Sequence, residues 1–139
     1  FILDKLQLLI ERKLIKGIGE NGTEYTVIAQ ILDLPKEILR LIQKFDFTKK
    51  NPKLIYINTG ETMISLQDSI LVTFLNLAGF DILFFVPTGY QSVERYFAED
   101  LIEEHQIGEY KYDMQVPDLN NISTNSTRPS WRRKLFRRG

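Results

Sequence analysis

The chain has 139 residues, no cysteine, and 18 basic residues against 18 acidic ones. This length suits one domain with a hydrophobic core and is too short for two complete domains. The lack of cysteine excludes a disulfide framework and a cysteine-type zinc site, and it favours a reducing, cytoplasmic compartment. Because the sequence opens without methionine, inside an apolar helical pattern, we expect a fragment of a longer protein.

Charge is distributed unevenly along the chain. Residues 1–50 carry 9 basic and 7 acidic groups, residues 51–119 carry 3 and 11, and residues 120–139 carry 6 and none. The acidic middle argues against a nucleic-acid-binding body, because phosphate contacts need lysine and arginine. The basic tail could instead contact an anionic membrane surface or a nucleic acid, with a solvated terminus as the alternative. The longest apolar runs are far below the roughly 20 residues that cross a bilayer, so we expect no transmembrane segment.

The composition divides the chain into three predicted parts. Residues 1–50 form a helical segment, residues 51–119 an α/β domain, and residues 120–139 a disordered polar linker with a basic tail. In the first part, apolar residues recur every three or four positions and predict an amphipathic helix over Phe1–Ile15. A second helix is predicted over Tyr25–Leu32. A third runs to Phe45 from Pro35, whose missing amide hydrogen costs nothing in a first helical turn.

The second part reads as two strand-turn-helix units. Leu54–Ile57 and Asp81–Val86 are apolar runs typical of strands buried on both faces. Between them, Ser65 and Asp68 have the spacing of a capping box and begin an apolar helix that ends at Gly79. This order predicts parallel pairing of the two strands.

A further helix is predicted after the second strand, Asp81–Val86. A stripe that includes Val93, Phe97 and Ile102 has helical spacing, and Thr88 with Gln91, or Ser92 alone, could cap it. The stripe is completed by Tyr96 and Leu101. We therefore expect an α/β fold, a Rossmann-like parallel β-α-β-α unit over 53–104 with additional N-terminal helices, as a three-layer α/β/α fragment. A third strand is expected, either at 110–116 or from elsewhere in the protein.

Both turns, 58–62 and 87–91, should lie at the carboxyl edge of the sheet, where open α/β sheets bind ligands. The candidate ligand-binding residues are Asn58, Thr59, Gly60, Glu61, Thr88, Gly89, Tyr90, Gln91 and Arg95. Backbone amides there would suit a phosphate. Neither turn matches a nucleotide-binding glycine pattern. The alternative is therefore that both glycines permit tight turns with positive φ and the threonines cap helices.

Three of these residues have alternatives of their own. Glu61 could act as a general base or hold a ribose, or it could be a solvated turn residue. Tyr90 could stack on a ligand while Arg95 holds its carboxylate or phosphate. Alternatively, Tyr90 could simply lie at a loop tip and Arg95 could pair with Glu94 or Glu99.

No catalytic residue, cofactor or metal is predicted. His105 follows two glutamates, but a metal site normally needs three or four converging ligands. A solvated histidine at a helix end is the simpler interpretation. No serine lies in a nucleophile elbow either.

Four segments of the chain resemble the YceG-like family: Lys53–Gly60, Leu77–Tyr90, Glu104–Tyr110 and Tyr112–Pro117. The resemblance spans Leu34 to Leu119 and implies the C-terminal part of a longer protein. That family is described as a component of a biosynthetic module in bacterial gene clusters for tellurite resistance and general stress. The resemblance implies a bacterial cytoplasmic protein that works with other tellurite-resistance and stress proteins, and it transfers no catalytic residue.

Two functions are consistent with these patterns. The first is a Rossmannoid domain that binds a nucleotide- or phosphate-bearing metabolite within such a biosynthetic module. The second is a non-enzymatic interaction module of a stress-resistance complex, in which the N-terminal helices dock a partner and the basic tail tethers the assembly.

Overall fold

The computed structural model of the protein describes residues 1–118, and the predicted disordered tail lies outside them. The described part has mixed α/β structure. Its elements are α1 Ile2–Glu11, α2 Thr23–Leu32, α3 Lys36–Lys44, β1 Lys53–Ile57, α4 Leu66–Leu77, β2 Asp81–Phe85 and a 3₁₀ turn, Glu94–Tyr96. None of these helices is long and apolar enough to cross a membrane.

The predicted N-terminal helices are all present, but α1 is shorter than predicted. It ends at Glu11, and Ile15 forms an antiparallel bridge with Phe97. Lys16 N donates to Tyr96 O at 2.8 Å, and Ala98 N donates to Leu14 O at 2.9 Å. The prediction of helix up to Ile15 is wrong because Lys13 has φ +50°, in the left-handed region, and the residues after it bond to the distant segment around Phe97.

One core joins the N-terminal helices to the α/β part. Leu9 of α1, Val27 of α2 and both Ile70 and Phe74 of α4 are fully buried in it. Helix α4 therefore lies between the two N-terminal helices and the sheet, as its apolar residues on nearly all sides require.

Local signals account for the bounds of α4. Ser65 Oγ accepts a hydrogen bond from Asp68 N at 3.0 Å and lies 2.8 Å from the Asp68 carboxylate. The carboxylate thus contacts the serine hydroxyl, whereas a complete capping box would have it accept from the Ser65 amide. Past the helix, Gly79 has φ +108°, and a Cβ there would lie 2.9 Å from the Phe47 ring. Both the conformation and the space require glycine at this position.

The two strands pair in parallel, as predicted, with Lys53 opposite Asp81 and Ile57 opposite Phe85. Their inner face packs on the core through side chains that are partly buried, namely Leu54, Tyr56, Ile82 and Phe84. Their outer face is open: Ile55 is 59% exposed and Leu83 is 57% exposed, and Ile57 and Phe85 are also exposed. The prediction of strands buried on both faces is therefore wrong for residues 1–118, where no second helix layer covers the sheet.

The chain after β2 also differs from the prediction. Between β2 and residue 118, only Glu94–Tyr96 is helical, as a single 3₁₀ turn, so the prediction of a full helix after β2 is wrong. The bridge to Ile15 places Phe97 in extended structure and ends the turn there. No strand forms at 110–116 either. In that segment Lys111 N donates to Pro87 O at 2.8 Å, a single bond rather than a ladder.

Candidate functional site

The first turn begins directly where β1 ends. Asn58 N donates to Phe85 O at 3.0 Å, so strand pairing extends one residue into the turn. The Asn58 side chain then holds the turn together. Its Oδ1 accepts from Gly60 N at 3.2 Å, and its Nδ2 donates to Thr62 O at 2.7 Å. Asn58 is thus chiefly a structural residue of its own turn.

The same side chain connects the two turns. Asn58 Nδ2 also donates to Ser92 Oγ at 2.9 Å, and Ile64 N donates to Ser92 O at 2.9 Å. Ser92 is only 1% exposed. The two turns therefore lie side by side at the carboxyl edge of the sheet, which is the arrangement expected from parallel pairing.

The second turn is tightly packed. Gly89 has φ +69°, and its N donates to Val86 O at 3.1 Å. A Cβ at Gly89 would collide with the Tyr110 ring, so this position requires glycine for both conformation and space. Thr88 is buried, and its Oγ1 accepts from Tyr90 N at 3.5 Å, so it supports the turn instead of capping a helix. In the first turn, by contrast, Gly60 has no positive φ, so the predicted reason for that glycine is wrong.

Glu61 and Tyr90 form a second connection between the turns. Hydrogen bonding to the Glu61 carboxylate, together with its negative charge, raises the pKa of the Tyr90 phenol above its ordinary value. A carboxylate acceptor favours the neutral phenol, which still has a proton to donate. The Tyr90 ring also lies 6.3 Å from the Tyr112 ring. Glu61 therefore contacts a neighbouring side chain and does not stand alone in solvent.

Arg95 lies on the 3₁₀ turn, beside the first turn. Its Nη1 is 3.6 Å from Met63 Sδ, and its guanidinium carbon is 5.2 Å from the Tyr96 ring centre. Neither Glu94 nor Glu99 forms an ion pair with Arg95 in the described part of the chain. Arg95 therefore places a positive charge at the edge where the turns meet.

A cavity of about 700 Å³ opens along β2, on the side away from β1. Its walls come from β2, from the second turn, from α4 and from residues 101–111. Of the predicted site residues, Gly89, Tyr90 and Gln91 line this cavity. The others, namely Asn58, Thr59, Gly60, Glu61, Thr88 and Arg95, do not. The predicted site is thus divided between a cavity and a neighbouring polar edge.

The structure adds two polar residues that the sequence did not single out. Thr73 and Asn76 of α4 line the cavity. Thr73 Oγ1 donates to Ser69 O at 2.8 Å, and Asn76 Nδ2 donates to Phe80 O at 3.2 Å. One signal was available, because these are the two polar positions in residues 70–77 of the helix, whose other residues are all apolar.

The charged groups around the cavity are mostly negative. The glutamates that line it are Glu94, Glu103, Glu104 and Glu109. Opposite charge comes from Lys111, and His105 Nε2 lies 3.1 Å from Glu103 Oε1 on the surface. Among residues 1–118, no group of three or more histidine, aspartate or glutamate side chains is arranged to hold a metal ion.

Comparison with known proteins identifies the family. The model of the YceG domain matches residues 1–128. The protein of Bacillus subtilis (strain 168) named "Uncharacterized protein YceG" is 32% identical over 93 residues, which are 65% of this chain and 17% of that relative. No solved structure matches.

The family match corrects one expectation. The match begins at residue 1 and includes the N-terminal helices, so it is N-terminal. The resemblance had instead implied the C-terminal part of a longer protein. The match also covers most of the chain. On this basis, the chain belongs to the YceG family.

Proposed function

We propose that the chain is a Rossmann-like domain that binds a nucleotide- or other phosphate-bearing metabolite where the second turn meets the cavity. The observation that carries the proposal is the cavity itself. Its volume of about 700 Å³ lies within the roughly 300–1,000 Å³ typical of small-molecule sites. It borders the carboxyl end of a parallel strand, which is where open α/β sheets bind ligands.

The side chains around the cavity favour a particular orientation of the ligand. Phe84 and Phe97, whose ring centres are 5.8 Å apart, and the exposed ring of Tyr90 provide apolar and aromatic surface for a planar ring. Thr73 and Asn76 add polar groups beside them. The four glutamates disfavour a phosphate deep inside the cavity. The phosphate would therefore lie over the two turns, near the Arg95 guanidinium.

The family resemblance supplies the setting of this proposal. The bound metabolite would belong to an unidentified biosynthetic step in bacterial tellurite resistance or stress response. The site residues suggest binding and positioning, and none of them is assigned a catalytic role.

Thermal unfolding with a panel of ligands tests the proposal. Nucleosides, nucleoside monophosphates and diphosphates, ribose 5-phosphate and inorganic phosphate would each be added to the full chain. A ligand at a hundred times its dissociation constant raises the apparent stability by about 2.7 kcal/mol. We expect a nucleotide to raise the melting temperature and inorganic phosphate alone to have a much weaker effect.

Matched variants locate the binding. Tyr90→Ala should remove the shift, while Tyr25→Ala, which truncates an exposed tyrosine on α2, should keep it. Arg95→Gln should reduce the melting-temperature shift caused by nucleotides and leave the shift caused by nucleosides unchanged. Arg40→Gln on α3 is its control. The proposal fails if no ligand shifts the transition, or if Tyr90→Ala and Arg95→Gln respond like their controls.

One observation favours the interaction module as a second candidate. The outer face of the sheet exposes four large apolar side chains, Ile55, Ile57, Leu83 and Phe85. Parallel sheets are normally covered by helices on both faces, so the partner would present an amphipathic helix. This function predicts that Ile55→Lys, at an exposed position of β1 that does not line the cavity, leaves the melting temperature nearly unchanged but reduces binding of the dye bis-ANS. It also predicts that no metabolite stabilises the chain. A metabolite shift that survives Ile55→Lys would favour the first function.

A further inference from the structure

The negative charge around the cavity is concentrated on one stretch of chain. Glu103, Glu104 and Glu109 all lie in the segment that forms its outer wall, and all three are exposed. Glu94, on the 3₁₀ turn, adds a fourth carboxylate, although its Oε2 also accepts from Val93 N at 3.1 Å. Lys111 is the one lysine among the residues that line the cavity in the described part of the chain. The wall therefore attracts a cationic group more strongly than an anionic one.

Inside the wall, the cavity is apolar and open. Ile82 and Phe84 line it from β2, and Leu101 and Ile107 line it from the opposite side. Leu101 is 37% exposed and Ile107 is 91% exposed. Apolar side chains exposed to this extent around a concave surface are typical of a binding site.

The backbone of β2 is also accessible from this side. Asp81 N donates to Pro52 O, and Phe85 O accepts from Asn58 N, so Asp81 and Phe85 point their backbone groups towards β1. Because these groups alternate along a strand, the N–H and C=O of Ile82 and Phe84 point to the opposite edge, along which the cavity runs. The cavity therefore offers hydrogen-bonding groups to an extended peptide as well as apolar surface.

The C-terminal part of the same sequence has the complementary chemistry. Residues 128–138 contain six cations and no acidic group, together with three large apolar residues, Trp131, Leu135 and Phe136. Trp131 follows the last described residue, Asp118, by 13 positions. An extended chain of that length reaches up to about 45 Å, which exceeds the roughly 26 Å that twice the radius of gyration of a 100-residue domain gives. Length therefore does not prevent the tail from reaching the cavity.

We propose that residues 128–138 dock in this cavity of their own chain. Trp131, Leu135 and Phe136 contact its apolar floor, and the arginines and Lys134 pair with the glutamates of the wall. Covalent connection favours this contact, because two binding groups joined by a short stretch of the same chain meet at an effective concentration on the order of mM. The proposal does not depend on metabolite binding. If both hold, the tail and the metabolite compete for the same space.

Trp131 makes the test direct, because it is the only tryptophan of the chain. Its emission maximum and its quenching by acrylamide would be measured in the full chain, with the urea-unfolded chain as the reference for an exposed indole. Docking predicts a blue-shifted emission and a Stern–Volmer constant several-fold lower than in the unfolded chain. Raising the salt from 0.1 M to 1 M shortens the screening length from about 10 Å to about 3 Å, so it should expose Trp131 in part.

A pair of triple variants tests the location. Glu103→Gln, Glu104→Gln and Glu109→Gln together should make Trp131 as accessible as in the unfolded chain. Glu11→Gln, Glu20→Gln and Glu37→Gln together remove the same charge from exposed positions in the N-terminal part and should leave Trp131 protected. Glu94 is left unchanged because it accepts a backbone hydrogen bond.

Three results would overturn the proposal. The first is an exposed Trp131 in the unmodified chain at 0.1 M salt. The second is an equal response to both triple variants, which would show an effect of net charge alone. The third is protection that disappears on dilution, which would mean that the tail binds a second copy of the chain. None of these results involves a metabolite, so each would leave the proposed function to its own test.

Discussion

The two strand-turn units of this chain begin alike and end differently. Each begins with a five-residue strand that alternates between exposed and half-buried residues. After β1 comes the twelve-residue helix α4, six of whose residues are buried. After β2 comes a single three-residue 3₁₀ turn with no buried residue. The incomplete second unit leaves the far edge of β2 open, and the cavity lies along that edge.

Packing explains the difference better than local sequence does. Both segments carry apolar residues at helical spacing, but α4 is held on two sides, by the sheet and by α1 and α2. In the second segment, Val93 and Phe97 are as buried as core residues, yet Phe97 reaches the core from an extended backbone bridged to Ile15. The second segment thus buries Phe97 from an extended backbone, whereas the first buries its apolar side chains from a helix.

The largest expected effect is a difference between the two units in the free energy of unfolding that is lost when an apolar side chain is truncated. Phe74→Ala, in α4 at 0% exposure, should lower the free energy of unfolding by about 3–5 kcal/mol. Leu101→Ala, in the segment predicted as a helix, should cost about 1 kcal/mol or less because its side chain is partly exposed. Urea unfolding followed by circular dichroism measures both. Similar costs would show that the second segment packs like α4 and would break the comparison.

The next effect concerns the connection between the turns. Asn58→Ala should cost about 1–3 kcal/mol, because it removes the donor to the buried Ser92 hydroxyl and the bond to Thr62 O. Ser92→Ala should partly offset this loss in the double variant, since no buried hydroxyl is then left without its donor. A double-mutant cycle in urea measures the coupling. Strict additivity would mean that the two turns are held together by other contacts.

The third effect tests the helix start that only the first unit has. Ser65→Ala should cost about 1 kcal/mol, because it leaves the Asp68 amide without its acceptor. Ser65→Asn keeps an oxygen at the cap and should lower the stability by only about a few tenths of a kcal/mol. Thermal unfolding followed at 222 nm compares the two variants. An equal loss in both would show that the serine acts through packing and not through the cap.

The parts of the fold that depend on local signals could be predicted from the sequence. The two strands and their parallel pairing are confirmed, as are the second and third N-terminal helices and α4 with its start at Ser65 and its end at Gly79. In each case, the determinant lies within a few residues of the feature: an apolar run rich in β-forming residues, a capping oxygen or a glycine with positive φ.

The parts that depend on distant contacts could not be predicted. The pairing of Ile15 with Phe97 shortens α1 and replaces a predicted helix, and nothing near either residue indicates its partner. A continuous apolar strand predicts cover on both faces, but Ile55 and Leu83 show that one face stays open in residues 1–118. For the site, the sequence predicted that the two turns would meet. It could not show that Asn58 is used structurally, or that Thr73 and Asn76 line the cavity.

The smallest expected effect is on the titration of Tyr90, and it distinguishes a structural contact from a solvated turn. The Glu61 carboxylate raises the pKa of Tyr90 above the ordinary value of 10.0. A folded-state pKa that is raised contributes stability below the unfolded pKa, and this contribution is lost as the pH rises through the folded pKa. The contact is therefore fully formed at neutral pH and weakens only in strongly alkaline solution.

Replacing the carboxylate should reverse this shift. Glu61→Gln removes both the anionic acceptor and its charge, so the pKa of Tyr90 should fall towards its ordinary value, as followed by NMR of ¹³Cζ-labelled tyrosine. Glu109→Gln is the control, because it neutralises a carboxylate of the cavity wall that makes no contribution to the Tyr90 shift. If Tyr90 titrates unchanged in Glu61→Gln, Glu61 does not contribute to the connection between the turns, which then depends on the hydrogen bonds of Asn58 and Ile64 to Ser92. The Glu61 carboxylate would then be free for the ribose-binding role that the sequence allowed.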